Sequence, residues 1–272
     1  MGKKALAPIP PKVRPLLPPS TSPTKKTVIL DLDNTLIYTT SVQPPRNRYD
    51  FQVKYTSELG LEKTCYVVKR PGVDLLLQKI SKDFEIVAFT AGTENYASKV
   101  LDLIDPEGLI SHRLYRDSCK MIGGRYFKDL TDLGRDVNRV VAVDDRPDSY
   151  LFESLPISRN VFPVSEFTGK NLSQDQQLAG VAQFLLTMAA YVSDTRDAIR
   201  LHRALEIEEN ERRTRKPVRR SEVITCFDCV GFLPSNRFSG NEMLNRDLIG
   251  IRFKLTAMNE ISGSGSVGVS GL

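Results

Sequence analysis

The sequence predicts an α/β protein built on a doubly wound, Rossmann-like parallel sheet with helices on both faces. Residues 27–30, 84–89 and 139–143 are short β-branched or apolar runs typical of buried strands. Segments with helical patterning begin near Gly72, Glu94 and Pro147. Strands that alternate with helices in this way favour a parallel sheet covered by helices.

Two further segments complete the predicted domain. Residues 51–55 and 64–68, separated by Gly60, have the pattern of a small β-hairpin insert. Residues 178–202 carry an apolar stripe and predict one long C-terminal helix. The stretches between the predicted strands leave no room for a large cap domain, so we expect an open crevice.

The composition predicts one compact domain with polar extensions. In a chain of 272 residues, 40% are hydrophobic and 26% are charged, which suits a single core better than two. We place a proline-rich flexible lead-in at 1–24, the folded domain at 25–204, and a basic, Gly/Ser-rich extension at 205–272.

Cellular context follows from what the sequence lacks. It has no apolar stretch long enough to cross a bilayer and no N-terminal apolar block, and four cysteines are too few for a disulfide scaffold. We expect an intracellular, soluble, monomeric protein with reduced thiols, nuclear and/or cytoplasmic and without a membrane partner. A mitochondrial destination is disfavoured, because prolines interrupt the lead-in and Arg14 is its single arginine.

The positive charge is uneven along the chain. The net charge is +5, and residues 212–220 hold a large share of the basic side chains. A solvated basic tail is favoured over a nuclear-import or nucleic-acid patch, so we expect no nucleic-acid partner. Cys226 and Cys229 could form half of a zinc site, but a structural zinc needs four ligands and no second pair lies nearby.

Polar residues directly follow the three predicted strands: Asp31, Asp33, Thr35, Thr90, Asp144 and Asp145. The carboxyl ends of parallel strands meet at one edge of the sheet, where ligands bind. An Asx-turn or helix cap would account for one aspartate and for Thr35, but not for both Asp31 and Asp33. Four carboxylates in one crevice repel one another unless a divalent cation lies among them, and Mg²⁺ is the simplest candidate.

In this order the residues resemble the haloacid dehalogenase superfamily, whose pattern is Asp-x-Asp-x-Thr, a Thr or Ser, a Lys, and a pair of acids. The chain is more similar still to the small C-terminal-domain phosphatases of the FCP/SCP type over residues 25–203. That similarity is carried by Lys69-Arg-Pro71, Phe89-Thr-Ala91, His112 to Arg116 with Asp117-Ser-Cys119, and Lys128-Asp-Leu130 with Leu133-Gly-Arg-Asp136.

The resemblance implies a protein phosphatase that forms an aspartyl-phosphate. Asp31 would be the nucleophile and Asp33 the general acid and base. Thr90 would hydrogen-bond the phosphoryl group and Lys128 would neutralise its charge. The residues implied as Mg²⁺ ligands are Asp31, Asp33 through its backbone carbonyl, Asp144 and Asp145.

Residues Thr35, Arg116 and Arg146 are predicted to contact substrate. A surface salt bridge is an equal alternative for Arg116, and Thr90 taken alone would fit a helix N-cap. Arg146 departs from the family, which commonly has Asp-Asn-Ser-Pro where this chain has Asp-Asp-Arg-Pro. His112 and His202 are expected to be structural or exposed, because this chemistry needs no imidazole.

The missing cap favours a phosphorylated protein, on phosphoserine or phosphothreonine, as the substrate. The resemblance adds the repeated tail of RNA polymerase II as one candidate. Two alternatives remain: an inactive binding module of the same fold, like a translocase receptor subunit, and a small-molecule phosphatase.

Overall fold

A computed structural model describes residues 14–45, 48–151 and 159–214. The strands are β1 (Lys26–Leu30), β2 (Ile37–Thr40), β3 (Phe51–Thr56), β4 (Glu62–Lys69), β5 (Phe84–Phe89), β6 (His112–Leu114), β7 (Lys120–Ile122), β8 (Arg125–Phe127), β9 (Val140–Asp144) and β10 (Val161–Pro163). The α-helices are α1 (Val73–Ile80), α2 (Glu94–Ile104), α3 (Gln177–Phe184) and α4 (Thr195–Thr214).

A parallel sheet of order β10-β9-β1-β5-β6 forms the centre, which confirms the predicted fold class. Successive residues of β1 point to opposite faces and all are buried, because both faces of the sheet are covered. Val28 and Leu30 pack in the apolar cluster that includes the α-helices. Ile29 packs in a second cluster with Leu130 and Leu133, which belong to a short 3₁₀ turn.

The predicted hairpin is present as β3 and β4, and β2 adds a third antiparallel strand beside β4. β7 and β8 form a separate two-stranded hairpin. The helix predicted near Pro147 is wrong, since residues Pro147–Ser149 form only a 3₁₀ turn. The backbone of Lys128 forms hydrogen bonds with Ser149 and Leu151 in the pattern of paired strands, so this segment does not form an α-helix.

The prediction of one long C-terminal helix over 178–202 is also wrong, because the helix is interrupted between α3 and α4. After α3 a π-helical turn covers Leu185–Ala189. The buried Lys26 donates to the carbonyls of Ala189 and Ala190 at 2.6 and 2.7 Å, and so takes acceptors that a continuing helix would use. The Asp194 side chain then accepts from the amide of Arg196 and starts α4.

Both predicted domain boundaries need adjustment. The lead-in is not detached at its end, because Leu17 is buried and the amides of Leu16 and Leu17 bond to the carbonyls of Asp132 and Leu133. At the other end α4 continues past residue 204 to Thr214. Residues 1–13 and 215–272, with Cys226, Cys229 and most of the basic run, lie outside the described residues.

Within the described ranges no helix combines the length and apolar character required to span a membrane.

Candidate active site

The carboxyl ends of β1, β5 and β9 meet at one edge of the sheet, and their polar residues line a cleft of about 570 Å³. The amide of Asp31 bonds to the carbonyl of Val143, which ties the loop after β1 to β9. The predicted residues found on the cleft wall are Asp31, Asp33, Thr90, Arg116, Lys128, Asp144, Asp145 and Arg146. The sheet topology thus brings together all but one of the predicted site residues.

Lys128 lies at the floor of the cleft and joins two of the acids. Its Nζ donates to Asp31 Oδ1 at 2.6 Å and to Asp144 Oδ2 at 2.7 Å, and all three side chains are almost fully buried. Burial favours the neutral amine, but the charges of Asp31 and Asp144 outweigh it and raise the pKa of Lys128. A permanently charged ammonium therefore faces the nucleophile predicted at Asp31.

One lysine does not neutralise the carboxylates gathered here. Burial raises the pKa of Asp31 to about 7; Lys128 opposes this shift and Asp144 adds to it. Burial likewise raises the pKa of Asp145, against the hydrogen bond from Thr35. Asp31, Asp144 and Asp145 each offer an oxygen within 4.8 Å of the others. An all-oxygen, under-neutralised set of this kind fits Mg²⁺.

Asp33 lies beside this cluster and has a partner of its own. The hydroxyl of Tyr96 donates to Asp33 Oδ1 at 2.5 Å. Burial raises the pKa of Asp33, and the hydrogen bond from Tyr96 partly offsets the shift. The next residue, Asn34, has a φ of 63°, a left-handed conformation that asparagine tolerates better than most residues. That reversal lets the chain turn back toward Ile37 directly after Asp33.

Thr35 is not among the residues that line the cleft, so the structure does not support its predicted contact with substrate, which stays a prediction. The residue is fully buried. Its hydroxyl donates to Asp145 Oδ1 at 2.9 Å and accepts from the amide of Asp145 at 3.0 Å. The buried Arg70 holds Thr35 in turn, since its guanidinium donates to the Thr35 carbonyl at 3.1 Å and to Asp175 at 3.0 Å. Thr35 therefore positions Asp145.

Thr90 directly follows β5 and lines the cleft. Its hydroxyl oxygen accepts from the amide of Gly92 at 2.9 Å, which shapes the turn after the strand. Thr93, not Thr90, precedes α2 as its N-cap, so the alternative interpretation of Thr90 as a helix cap is wrong. A Cβ at Gly92 would lie 3.2 Å from the Thr90 hydroxyl oxygen, which is tighter than ordinary contact.

The two predicted substrate-contacting arginines differ in how they are held. Arg116 donates through Nε to the carbonyl of Ala91 at 2.8 Å and pairs with Glu58 at 3.0 Å. Its guanidinium also lies 5.0 Å from the ring centre of Tyr126, so the salt-bridge alternative describes its present contacts. Arg146 is 61% exposed at the mouth of the cleft.

Sequence reasoning missed three residues of the site. Tyr96 contacts Asp33, Tyr150 donates to Asp144 at 3.0 Å, and Arg70 supports Thr35. Tyr96 lies in α2, where an aromatic residue is normally interpreted as part of the core. Nothing in the sequence spacing distinguishes Tyr96 or Tyr150 from the other aromatic residues. The only signal for Arg70 in the sequence is its place in the motif Lys69-Arg-Pro71.

The parallel sheet, its paired acids and the buried lysine are the features that the phosphatase resemblance predicts. Residues 26–196 match the profile of the NLI interacting factor-like phosphatases, and this chain belongs to that family. The predicted resemblance is therefore confirmed.

Curated relatives agree with this assignment. The chain is 44% identical over 142 residues to a probable C-terminal domain small phosphatase of Dictyostelium discoideum, covering 52% of this chain and 44% of that protein. It is 42% identical over 143 residues to the human CTD small phosphatase-like protein, covering 53% and 49%. It is 36% identical over 192 residues to the Dictyostelium CTD small phosphatase-like protein 2, covering 71% and 32%. The chain thus spans a third to a half of the length of these relatives.

Proposed function

We propose that this chain is a Mg²⁺-dependent phosphoprotein phosphatase that hydrolyses phosphoserine or phosphothreonine through an aspartyl-phosphate on Asp31. The observation that supports this best is the contact between Asp31 and the buried Lys128, with Asp33 two residues further along the same loop. Nucleophile, charge partner and proton carrier are then available in one cleft.

In the first step Asp31 attacks phosphorus and the bond to the serine or threonine oxygen breaks. Asp33 supplies the proton to that leaving oxygen, and its raised pKa helps it to hold the proton beforehand. In the second step the carboxylate of Asp33 takes a proton from the water that attacks phosphorus, and Asp31 is released.

The remaining residues act on charge and position. Lys128 offsets negative charge that gathers on the phosphoryl oxygens, a task that dominates phosphoryl transfer. Thr90 is placed to hydrogen-bond one of those oxygens. Bound between Asp31, Asp144 and Asp145, Mg²⁺ would neutralise the phosphoryl group and orient it.

The substrate part of the proposal rests on the shape of the cleft and on the relatives. Between β1 and β5 the described residues form only the small sheet of β2, β3 and β4 and the helix α1, with no cap domain beyond these elements. A phosphorylated side chain on a protein fits such a cleft better than a small metabolite does. One relative is named a probable C-terminal domain small phosphatase, and together with the family resemblance this makes the repeated tail of RNA polymerase II one candidate substrate.

The test is phosphate release from phosphoserine and phosphothreonine peptides, with sugar phosphates in parallel, in the presence of Mg²⁺ or of a chelator. We expect release from the peptides, dependent on Mg²⁺ and abolished in Asp31→Asn. Asp102→Asn, which changes an acid paired with Arg113 outside the cleft, is the matched control and should retain activity. Equal inertness of wild type and Asp31→Asn would favour the binding-module alternative, and faster release from sugar phosphates the small-molecule one.

A further inference from the structure

The mouth of the cleft carries two arginines that the proposed chemistry does not use. Arg125 lies in β8 and Arg146 directly follows Asp145, and both line the cleft. Their side chains are 53% and 61% exposed. We call these two residues the rim pair.

Separate backbone elements hold the rim pair in place. Gly123 and Gly124 have φ values of 57° and 79°, as the two-residue turn of a β7–β8 hairpin requires. Arg125 follows that turn, and its guanidinium lies 5.3 Å from the ring centre of Phe127. The amide of Arg146 donates to Asp144 Oδ1 at 2.8 Å, which ties this residue to the acid cluster.

The rim pair shares a single acid, Asp148. Arg125 Nη2 lies 2.6 Å from Asp148 Oδ2, whereas Arg146 reaches Asp148 Oδ1 only through Nε and at 3.8 Å. Arg125 and Arg146 hold the pKa of Asp148 below its usual value, chiefly through the hydrogen bond from Arg125. Among the described residues, the two guanidinium groups of the rim pair therefore share one carboxylate, so the rim pair and Asp148 together carry one positive charge in excess.

Arg146 has the more available guanidinium of the two. In the part of the chain that the structure describes, its two terminal nitrogens have no hydrogen-bond or ion-pair partner. Arg116, on the same cleft wall, is instead engaged by Ala91 and Glu58. A guanidinium with free terminal nitrogens is suited to bidentate binding of a phosphoryl or carboxylate group.

We propose that the rim pair is a second anion subsite, which binds an acidic group on a residue near the phosphoresidue that enters the cleft. The inference rests on the proposed function and narrows its substrate class to acidic or multiply phosphorylated segments. Arg146 directly follows Asp145 along the chain, and both arginines line the same cleft as Asp31. The expected partner of the rim pair is therefore an acidic side chain close in sequence to the phosphoresidue.

The experiment compares phosphoserine peptides that differ at one neighbouring position, which carries glutamine, glutamate or a second phosphoserine. Two readouts are taken on the full chain: kcat/KM for phosphate release, and the Kd of matching peptides in which a phosphonate replaces the phosphate to be cleaved. We expect the acidic peptides to be favoured about three- to tenfold in both readouts, with a smaller ratio at high salt.

Two variants should shift that ratio in opposite directions, and a third is the control. Arg146→Ser, which introduces the residue common in the family, should bring the ratio of acidic to neutral peptide close to one. Asp148→Asn should increase the ratio, because both arginines lose their shared acid. Arg200→Ser is the matched control, since Arg200 is 62% exposed, pairs with one acid, Asp197, and lies on α4 away from the cleft.

The outcomes separate this inference from the proposed function. A ratio near one in the wild type, or one that Arg146→Ser leaves unchanged, overturns the subsite even if neutral peptides are hydrolysed. A binding preference that disappears in Arg146→Ser supports the subsite even if no peptide is hydrolysed. A preference shared by glutamate and phosphoserine assigns a general anion site, and one limited to phosphoserine assigns a phosphate site.

Discussion

Replacing Thr35 by valine should weaken Mg²⁺ binding although Thr35 is not itself a predicted metal ligand and does not line the cleft. Valine has nearly the same shape but loses two hydrogen bonds to Asp145, of 2.9 and 3.0 Å, at a fully buried position. Hydrogen bonds to charged groups contribute about 1.5–3 kcal/mol, and a free energy of about 1.4 kcal/mol is tenfold in affinity. We therefore expect Mg²⁺ to bind roughly 10- to 100-fold more weakly, the range typical for residues that orient metal ligands.

The assay is calorimetric titration of the folded protein with Mg²⁺, which does not depend on activity. Thr187→Val is the matched control, because its hydroxyl donates only to the carbonyl of Gln183, at 2.7 Å. Thr187→Val should bind Mg²⁺ like the wild type. A Mg²⁺ Kd for folded Thr35→Val within about twofold of wild type would show that Thr35 does not position a metal ligand.

Two further predictions concern buried charge and pH. Lys128→Met should lower the free energy of unfolding by roughly 3–5 kcal/mol at neutral pH, because Asp31 and Asp144 lose their shared cation. Urea unfolding should show the loss shrinking as pH falls and Asp31, whose pKa is raised to about 7, becomes protonated, and an equal loss at every pH would contradict this reasoning. Burial lowers the pKa of His202 from its ordinary value of about 6.5, so the folded state disfavours the imidazolium. The free energy of unfolding should therefore decrease as the pH drops below about 6.5 toward the lowered pKa. The free energy of unfolding, measured in urea at about pH 7.5 and about pH 5.5, should differ less between the two pH values in His202→Leu than in the wild type. An equally large difference in the variant would assign the pH dependence to another group.

The acid cluster could be predicted from sequence because each member directly follows a strand with a clear apolar pattern. The sheet topology then decides that Asp31, Thr90 and Asp144 meet, and a parallel sheet allows few alternatives. Lys128 and Arg116 came instead from the family resemblance, since a single lysine or arginine has no local signal.

The break after α3 and the buried contact of Thr35 could not be predicted for the same physical reason, since both depend on residues distant in sequence. The break after α3 depends on Lys26, which lies 163 residues from Ala189 and satisfies its carbonyl. The role of Thr35 depends on Asp145, 110 residues away. Local periodicity carries no information about either contact. The apolar stripe therefore predicts a helix that continues through the break after α3. Likewise, nothing near Thr35 in the sequence indicates that its hydroxyl is buried against Asp145.

Whether Asp31 carries the phosphoryl group can be measured by trapping it in Asp33→Asn, in which the proposed general base is lost and the aspartyl-phosphate should accumulate. The variant is incubated with phosphopeptide and Mg²⁺ and quenched in acid, and the acyl phosphate is labelled with hydroxylamine for peptide mass spectrometry. We expect the label at residue 31 and none when Asp31 is also replaced by asparagine. Phosphate release by the wild type, with the label at a residue other than Asp31 in Asp33→Asn, would contradict the proposed nucleophile.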